Sequence, residues 1–133
     1  MMALPRSPYK SRFGIRRIYH AMTYSYAGIQ TAWQQEAAFR QISWLNFILI
    51  PISLCLNLSQ VEHILLIAVS LLAWIVELIN SAIEAVVDRI SLEQHVLSKQ
   101  AKDQASAAQS ITLLLILLTW LMIVMANVHV YVR

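Results

Sequence analysis

Glycine, cysteine and charge are all scarce in this chain, and each scarcity closes off a class of protein. The 133 residues hold two glycines, Gly14 and Gly28, so no glycine-rich loop of the P-loop or kinase type can cradle a phosphate on backbone N–H groups. The single cysteine, Cys55, excludes an intrachain disulfide and reads as a small residue within an apolar run. The four histidines, His20, His63, His95 and His129, have no metal-ligand spacing. Charged residues make up 13% of the chain against 59% hydrophobic ones, and the mean hydropathy is +0.60. Soluble domains carry about 25% charged residues, so the composition is that of an integral membrane protein. The net charge of +3 is concentrated at the front, in Arg6, Lys10, Arg12, Arg16 and Arg17. Ahead of membrane spans such an arm reads as a cytoplasmic, lipid-facing flank, and no nucleic-acid partner is expected.

What is present is organised around Trp74 to Arg89. This stretch is almost continuously apolar, yet it carries Glu77, Asn80, Glu84 and Asp88. At 100° per residue, with Glu77 at zero, Glu84 falls at about −20°, Asp88 at about +20°, Ser81 at about +40° and Asn80 at about −60°. All lie on one face of a helix whose other face is Leu78, Ile79, Ala82, Ile83, Val86 and Ile90. Ionisable groups at membrane depth are costly and normally face a bundle interior where something binds them.

Residues 1–12 hold Pro5 and Pro8 and read as a mobile basic tail without a signal-peptide core. Residues 13–133 form one domain. Over 13–41, Ile18, Met22, Tyr26, Ile29 and Trp33 recur every three or four residues, the stripe of an amphipathic helix lying on the membrane surface. Three spans follow, at 42–58, 64–90 and 106–130. The first is about 25 Å long and gains length if 37–41 are added; Pro51 should kink it, and Asn46 and Asn57 need partners. The turn 57–63 has no Lys or Arg, whereas the polar segment 91–104 has Lys99 and Lys102. The amino terminus and 91–104 are therefore expected in the cytoplasm, together with the acidic end of the second span. A bundle this small is expected to complete its site by oligomerising.

Along the helix axis Glu77 and Glu84 are about 10 Å apart, too far to share one small ion. Glu77, the deeper, suits a base acting on a lipid group. Glu84 suits a metal ligand, with Glu36 as the second carboxylate, because magnesium takes one or two carboxylates plus substrate phosphates. Arg17 and Lys102 could neutralise phosphates. The blander readings are helix–helix hydrogen bonding for Asn80, an interface pair or cap for Asp88 with Arg89, and packing for Trp33, Trp44, Trp74 and Trp120.

The run Glu77-Leu-Ile-Asn80-Ser81-Ala82-Ile83-Glu84-Ala85-Val86-Val87-Asp88-Arg89 resembles the signature of the prokaryotic diacylglycerol kinase family. Ala101-Lys102-Asp103 with Ser106-Ala107-Ala108 resembles its second block, and Ala32-Trp33 with Glu36-Ala37-Ala38-Phe39-Arg40-Gln41 its first. The likeness runs from about Arg17 to Trp120. It implies an all-α homotrimer in the bacterial cytoplasmic (inner) membrane, with a surface helix and three spans per protomer, moving the γ-phosphate of ATP to diacylglycerol with Mg²⁺. It further implies Glu77 as catalytic base supported by Asn80, and Glu36 with Glu84 on the metal. Arg17, Tyr24, Glu36, Glu84, Glu93, His95, Lys102 and Asp103 would face the nucleotide. Arg17, Tyr26, Trp33, Arg40, Glu77, Ser106 and Trp120 would border the lipid. The chain departs from the pattern at Tyr26, Ile42, Ser91 and Lys99. Undecaprenol is the alternative acceptor. A proton- or ion-translocating subunit and a non-catalytic assembly protein are the other classes an intramembrane glutamate allows. ATP hydrolysis stimulated by a lipid alcohol is expected of the kinase and of neither other class.

Overall fold

The computed structural model describes residues 14–91, 93 and 95–131; the expected tail, residues 1–12, lies outside them. Four helices follow one another, α1 (Gly14–Gln35), α2 (Ala37–Cys55), α3 (Gln60–Ile90) and α4 (Val96–Tyr131), with no strand among the described residues. At 1.5 Å per residue the last three are about 28, 46 and 54 Å long, against a hydrocarbon core of about 30 Å. All three are long and apolar enough to cross a membrane. The chain is therefore an all-α, multi-pass membrane protein with an amphipathic helix ahead of three spans.

The helix boundaries differ from those read off the sequence, each for a local reason. The first helix stops short of Gln41 because Glu36 is extended, with φ −101° and ψ 113°, and residues 37–41 open α2. Arg40 reaches back over this break and donates from Nη1 to the carbonyls of Trp33 at 2.9 Å and Gln34 at 3.3 Å. These are among the acceptors that the last turn of a helix leaves open. α2 ends at Cys55 rather than Leu58, its last turn tightened by the Leu56 N–H on the Ser53 carbonyl at 3.4 Å. α3 starts at Gln60 rather than Ile64 because Ser59 and Glu62 form a capping box. The Ser59 N–H donates to Glu62 Oε2 at 2.7 Å, and the Glu62 N–H to Ser59 Oγ at 3.4 Å. α4 starts at Val96, so most of the expected polar segment is helix continuous with the third span.

α3 is the axis of the bundle. α2 packs on it, and α4 packs against it and no other helix at the level of the backbone. Leu66, Val69, Ser70, Ala73 and Glu77 of α3 are buried, as are Ala105, Gln109, Thr112, Ile116 and Ile123 of α4. Apart from the adjacent Val69 and Ser70, the spacings of three, four and seven are those of a heptad seam. Ile42, Val69, Ala73 and Ile116 form the core, with Leu49, Trp74 and Trp120 against it. Small residues let the backbones approach, and polar side chains tie them together. Asn46 Nδ2 donates to the Ser70 carbonyl at 2.9 Å, and Trp74 Nε1 to Ser43 Oγ at 2.9 Å. At the far end Asn127 Nδ2 donates to Glu62 Oε1 at 2.8 Å. Trp33, Trp44, Phe47 and Trp74 form a ladder of rings, with successive centroids 6.1, 5.8 and 5.9 Å apart. It fixes the end of α1 against α2 and α3.

Asn46→Ala is expected to lower the unfolding free energy in micelles by about 1–2 kcal/mol, the upper range for an interhelical hydrogen bond in a membrane. Asn46→Leu, which refills the volume, should cost less. Reversible unfolding in denaturant measures both, and unchanged stability of the alanine variant would mean that the bond contributes nothing.

Candidate functional site

One face of α3 grades from the interior of the bundle to its surface. Glu77 is 1% exposed, Asn80 and Glu84 are half-buried, and Asp88 is exposed. Counted from the tie between Glu62 and Asn127, a hydrocarbon core of about 20 helical residues ends just short of Glu84. On that count Glu77 would fall within the apolar layer, with Glu84 and Asp88 at its edge or beyond. Asn80 Nδ2 donates to Glu84 Oε1 at 3.3 Å. Glu36, at the extended residue between α1 and α2, and Glu84 both lie close enough to act electrostatically on Glu77. The three carboxyl groups singled out in the sequence therefore converge, from two places far apart in the chain.

This convergence is unfavourable by itself. Carboxylates repel one another, most strongly where water is excluded. Glu77 Oε2 and Asn80 Oδ1 are buried with no hydrogen-bond partner in the structure, and polar groups at this depth are costly unless something binds them. Among the described residues no group of three or more His, Cys, Asp or Glu side chains is placed to hold a metal on its own. The donor set of Glu36, Glu84 and Asn80 is all oxygen, which suits a hard cation that draws its remaining ligands from a substrate. Beside it, a groove of about 510 Å³ runs between α1 and α3, bounded by Ser25, Gly28, Ala32 and Glu36 on one side and Ser81, Ala82 and Ala85 on the other.

A second cavity, of about 520 Å³, lies where α3 leads into α4. It brings together Glu93, His95, Lys102 and Asp103 of the expected nucleotide residues, and adds Asp88 and Lys99. Lys102 Nζ is 2.6 Å from Asp88 Oδ1, the one ion pair among the described residues. Asp88 thus pairs across the turn and not with its neighbour Arg89. Serine supports the turn, since Ser91 Oγ accepts from the Glu93 N–H at 3.0 Å. His95 Nδ1 accepts from the Leu97 N–H at 3.2 Å, so this imidazole nitrogen is engaged at the start of α4.

The other expected residues are more dispersed. Arg17, Tyr24 and Tyr26 are exposed along α1, where Tyr24 stacks on His20 with centroids 6.2 Å apart; none lines either cavity. Trp33 and Arg40 meet at the junction of α1 and α2. Trp120 packs on the core, its Nε1 buried without a partner. Ser106 is exposed on α4, one turn beyond Lys102. Lys99, which the sequence did not single out for the site, joins it by its place in the cavity, where Asp88 of the acidic face is held by its ion pair with Lys102. That pairing carries no local signal, since the two residues stand fourteen apart in the chain.

Comparison with known proteins gives the family. The profile of the family described as prokaryotic diacylglycerol kinase matches residues 23–124, a range that takes in every expected site residue except Arg17. The chain is 56% identical over 114 residues to the diacylglycerol kinase of Pseudomonas aeruginosa, covering 86% of this chain and 93% of that protein. It is 45% identical over 107 residues to the diacylglycerol kinase of Escherichia coli, covering 80% and 88%, and 42% identical over 107 residues to that of Haemophilus influenzae, covering 80% and 91%. With a profile matched over most of its length and relatives aligned nearly end to end, the chain belongs to the prokaryotic diacylglycerol kinase family.

Proposed function

We infer that this protein is an ATP-dependent diacylglycerol kinase of a bacterial membrane, transferring the γ-phosphoryl group to the lipid's free hydroxyl to give phosphatidic acid and ADP. The observation that carries the mechanism is the burial of Glu77. It is the most buried carboxyl group on the acidic face, and one of its oxygens is without a partner. Glu77 stands on the lipid side of the site, where a hydroxyl at the polar edge of the bilayer would meet it, and Glu84 and Asp88 mark the side that a water-borne nucleotide can reach.

In this reading the hydroxyl oxygen attacks the γ-phosphorus as Glu77 takes the hydroxyl proton. The bond from the γ-phosphorus to the bridging oxygen breaks, and that oxygen leaves with ADP. Asn80 holds Glu84 in place through its amide. Glu36 and Glu84 would hold Mg²⁺, which when bound supplies charge neutralisation for the phosphates. Lys102 exchanges Asp88 for a phosphate oxygen, and Glu93, His95 and Asp103 shape the cavity around the nucleotide. Arg17 and Tyr24 approach the nucleotide from α1; Tyr26, Trp33, Arg40, Ser106 and Trp120 border the lipid. Positioning and electrostatics supply most of the rate in such a transfer.

The functional unit in this reading is a homotrimer in the cytoplasmic (inner) membrane, with the amino terminus and the site facing the cytoplasm. The placement of Lys99, Lys102 and the amino-terminal arginines supports that orientation.

Transfer of labelled phosphate from Mg-ATP to diacylglycerol in micelles, with undecaprenol as the competing acceptor, tests the activity. Preference for diacylglycerol is expected, and transfer to neither by folded protein would overturn the reading. Glu77→Gln should reduce transfer at least 10³-fold, an order of magnitude for loss of an essential base, while ATP still binds. Transfer surviving at more than a few per cent would remove Glu77 from that role. Glu84→Gln should raise the magnesium concentration for half-maximal rate by about tenfold or more. An unchanged magnesium titration would take Glu84 out of the metal site.

A further inference from the structure

We propose that Asp88 sets the affinity for the nucleotide, its carboxylate competing with a phosphate oxygen for the ammonium group of Lys102. The proposal rests on Lys102 being a phosphate ligand. Lys102 Nζ and Asp88 Oδ1 are 2.6 Å apart, and both residues line the cavity where α3 leads into α4. Glu93 and Asp103 line it as well, yet among the described residues Asp88 is the carboxylate that the ammonium group pairs with.

A carboxylate at this point does little for the helix that bears it. Asp88 stands in the last turn of α3, which ends at Ile90, and the open carbonyls there make the helix end partly negative. Its neighbour Arg89 points elsewhere, as adjacent residues on a helix do, so the compensating charge comes from α4. The pair is also open to water, the Lys102 side chain being 36% exposed and that of Asp88 49%. Exposed ion pairs are weak, so a phosphate oxygen entering the cavity can take the ammonium group from Asp88. When the nucleotide leaves, Asp88 takes it back. The bond that is broken on binding and restored on release subtracts from the affinity, and Asp88 acts through Lys102 without touching the reacting atoms.

The test is a titration of the full chain in micelles with a non-hydrolysable Mg-ATP analogue, for Asp88→Asn and Asp88→Ala, each alone and combined with Lys102→Ala. Both single Asp88 variants should bind the analogue about three- to fivefold more tightly than the parent, the scale of an exposed ion pair. Asp88→Glu, which keeps the competing charge, should stay within about twofold of the parent. Lys102→Ala should weaken binding, and adding either Asp88 substitution to it should bring no gain, because the two residues act as one unit. A merely structural tie between α3 and α4 predicts the opposite sign, weaker binding together with a lower thermal midpoint. Unchanged or weaker binding in both Asp88 variants overturns the proposal, and so does a gain that persists without Lys102. Lys102→Ala separates the two layers: weakened binding there beside unchanged Asp88 variants sinks only the competition, whereas unchanged binding in Lys102→Ala removes Lys102 from the phosphates and the proposal with it.

Discussion

The hydrocarbon core of a bilayer offers a polar side chain no partner, so a polar group placed there must find one on another helix or stand ready for a ligand. The structure follows from how its buried polar groups divide between these two fates. Asn46 reaches the Ser70 carbonyl and Trp74 reaches Ser43, and around these bonds α2 and α3 come together over Ile42 and Ala73. Glu77 Oε2 and Asn80 Oδ1 have no such bond. They sit on the same seam of α3, a little over one turn beyond Ala73, where the tight core gives way. Satisfied polar groups hold the bundle closed, and unsatisfied ones open its edge to chemistry.

Charge is arranged to match. Glu36, Glu77 and Glu84 form an acidic centre, while Lys99 and Lys102 line the neighbouring cavity. Asp88, Glu93 and Asp103 stand beside the lysines in that cavity, so both of its lysines have carboxylates at hand and neither cavity nor acidic face carries an excess of positive charge. The exposed pair of Lys102 with Asp88 occupies the lysine only loosely, since such pairs are weak in water.

Much of this was legible in the sequence because a helix maps spacing onto a face. Glu77, Asn80, Glu84 and Asp88 needed only the 3.6-residue period to be placed together, and the spans needed only hydropathy. The motifs around them carried the family. Boundaries were less legible. The Ser59 to Glu62 capping box could have been read four residues ahead of the span it opens. The break at Glu36 could not, because what closes α1 is the Arg40 side chain folding back from the next helix. α4 fuses with the polar segment before it because helix geometry is indifferent to whether a turn stands in lipid or in water. The pairing of Lys102 with Asp88 was illegible for a different reason: it depends on how α4 folds back against α3, which no local pattern encodes.

Glu36 is the single extended residue between the amphipathic helix α1 and the first helix long and apolar enough to cross a membrane. Its carboxyl group is thus mounted on the elbow between the two, and its distance from Glu77 and Glu84 varies with the angle of that elbow. At about 28 Å, α2 is the shortest of the three spans and falls just short of a hydrocarbon core of about 30 Å. It has no length to spare for a steep tilt, so the elbow that carries Glu36 is held close to the membrane boundary by the shortness of the helix that follows it.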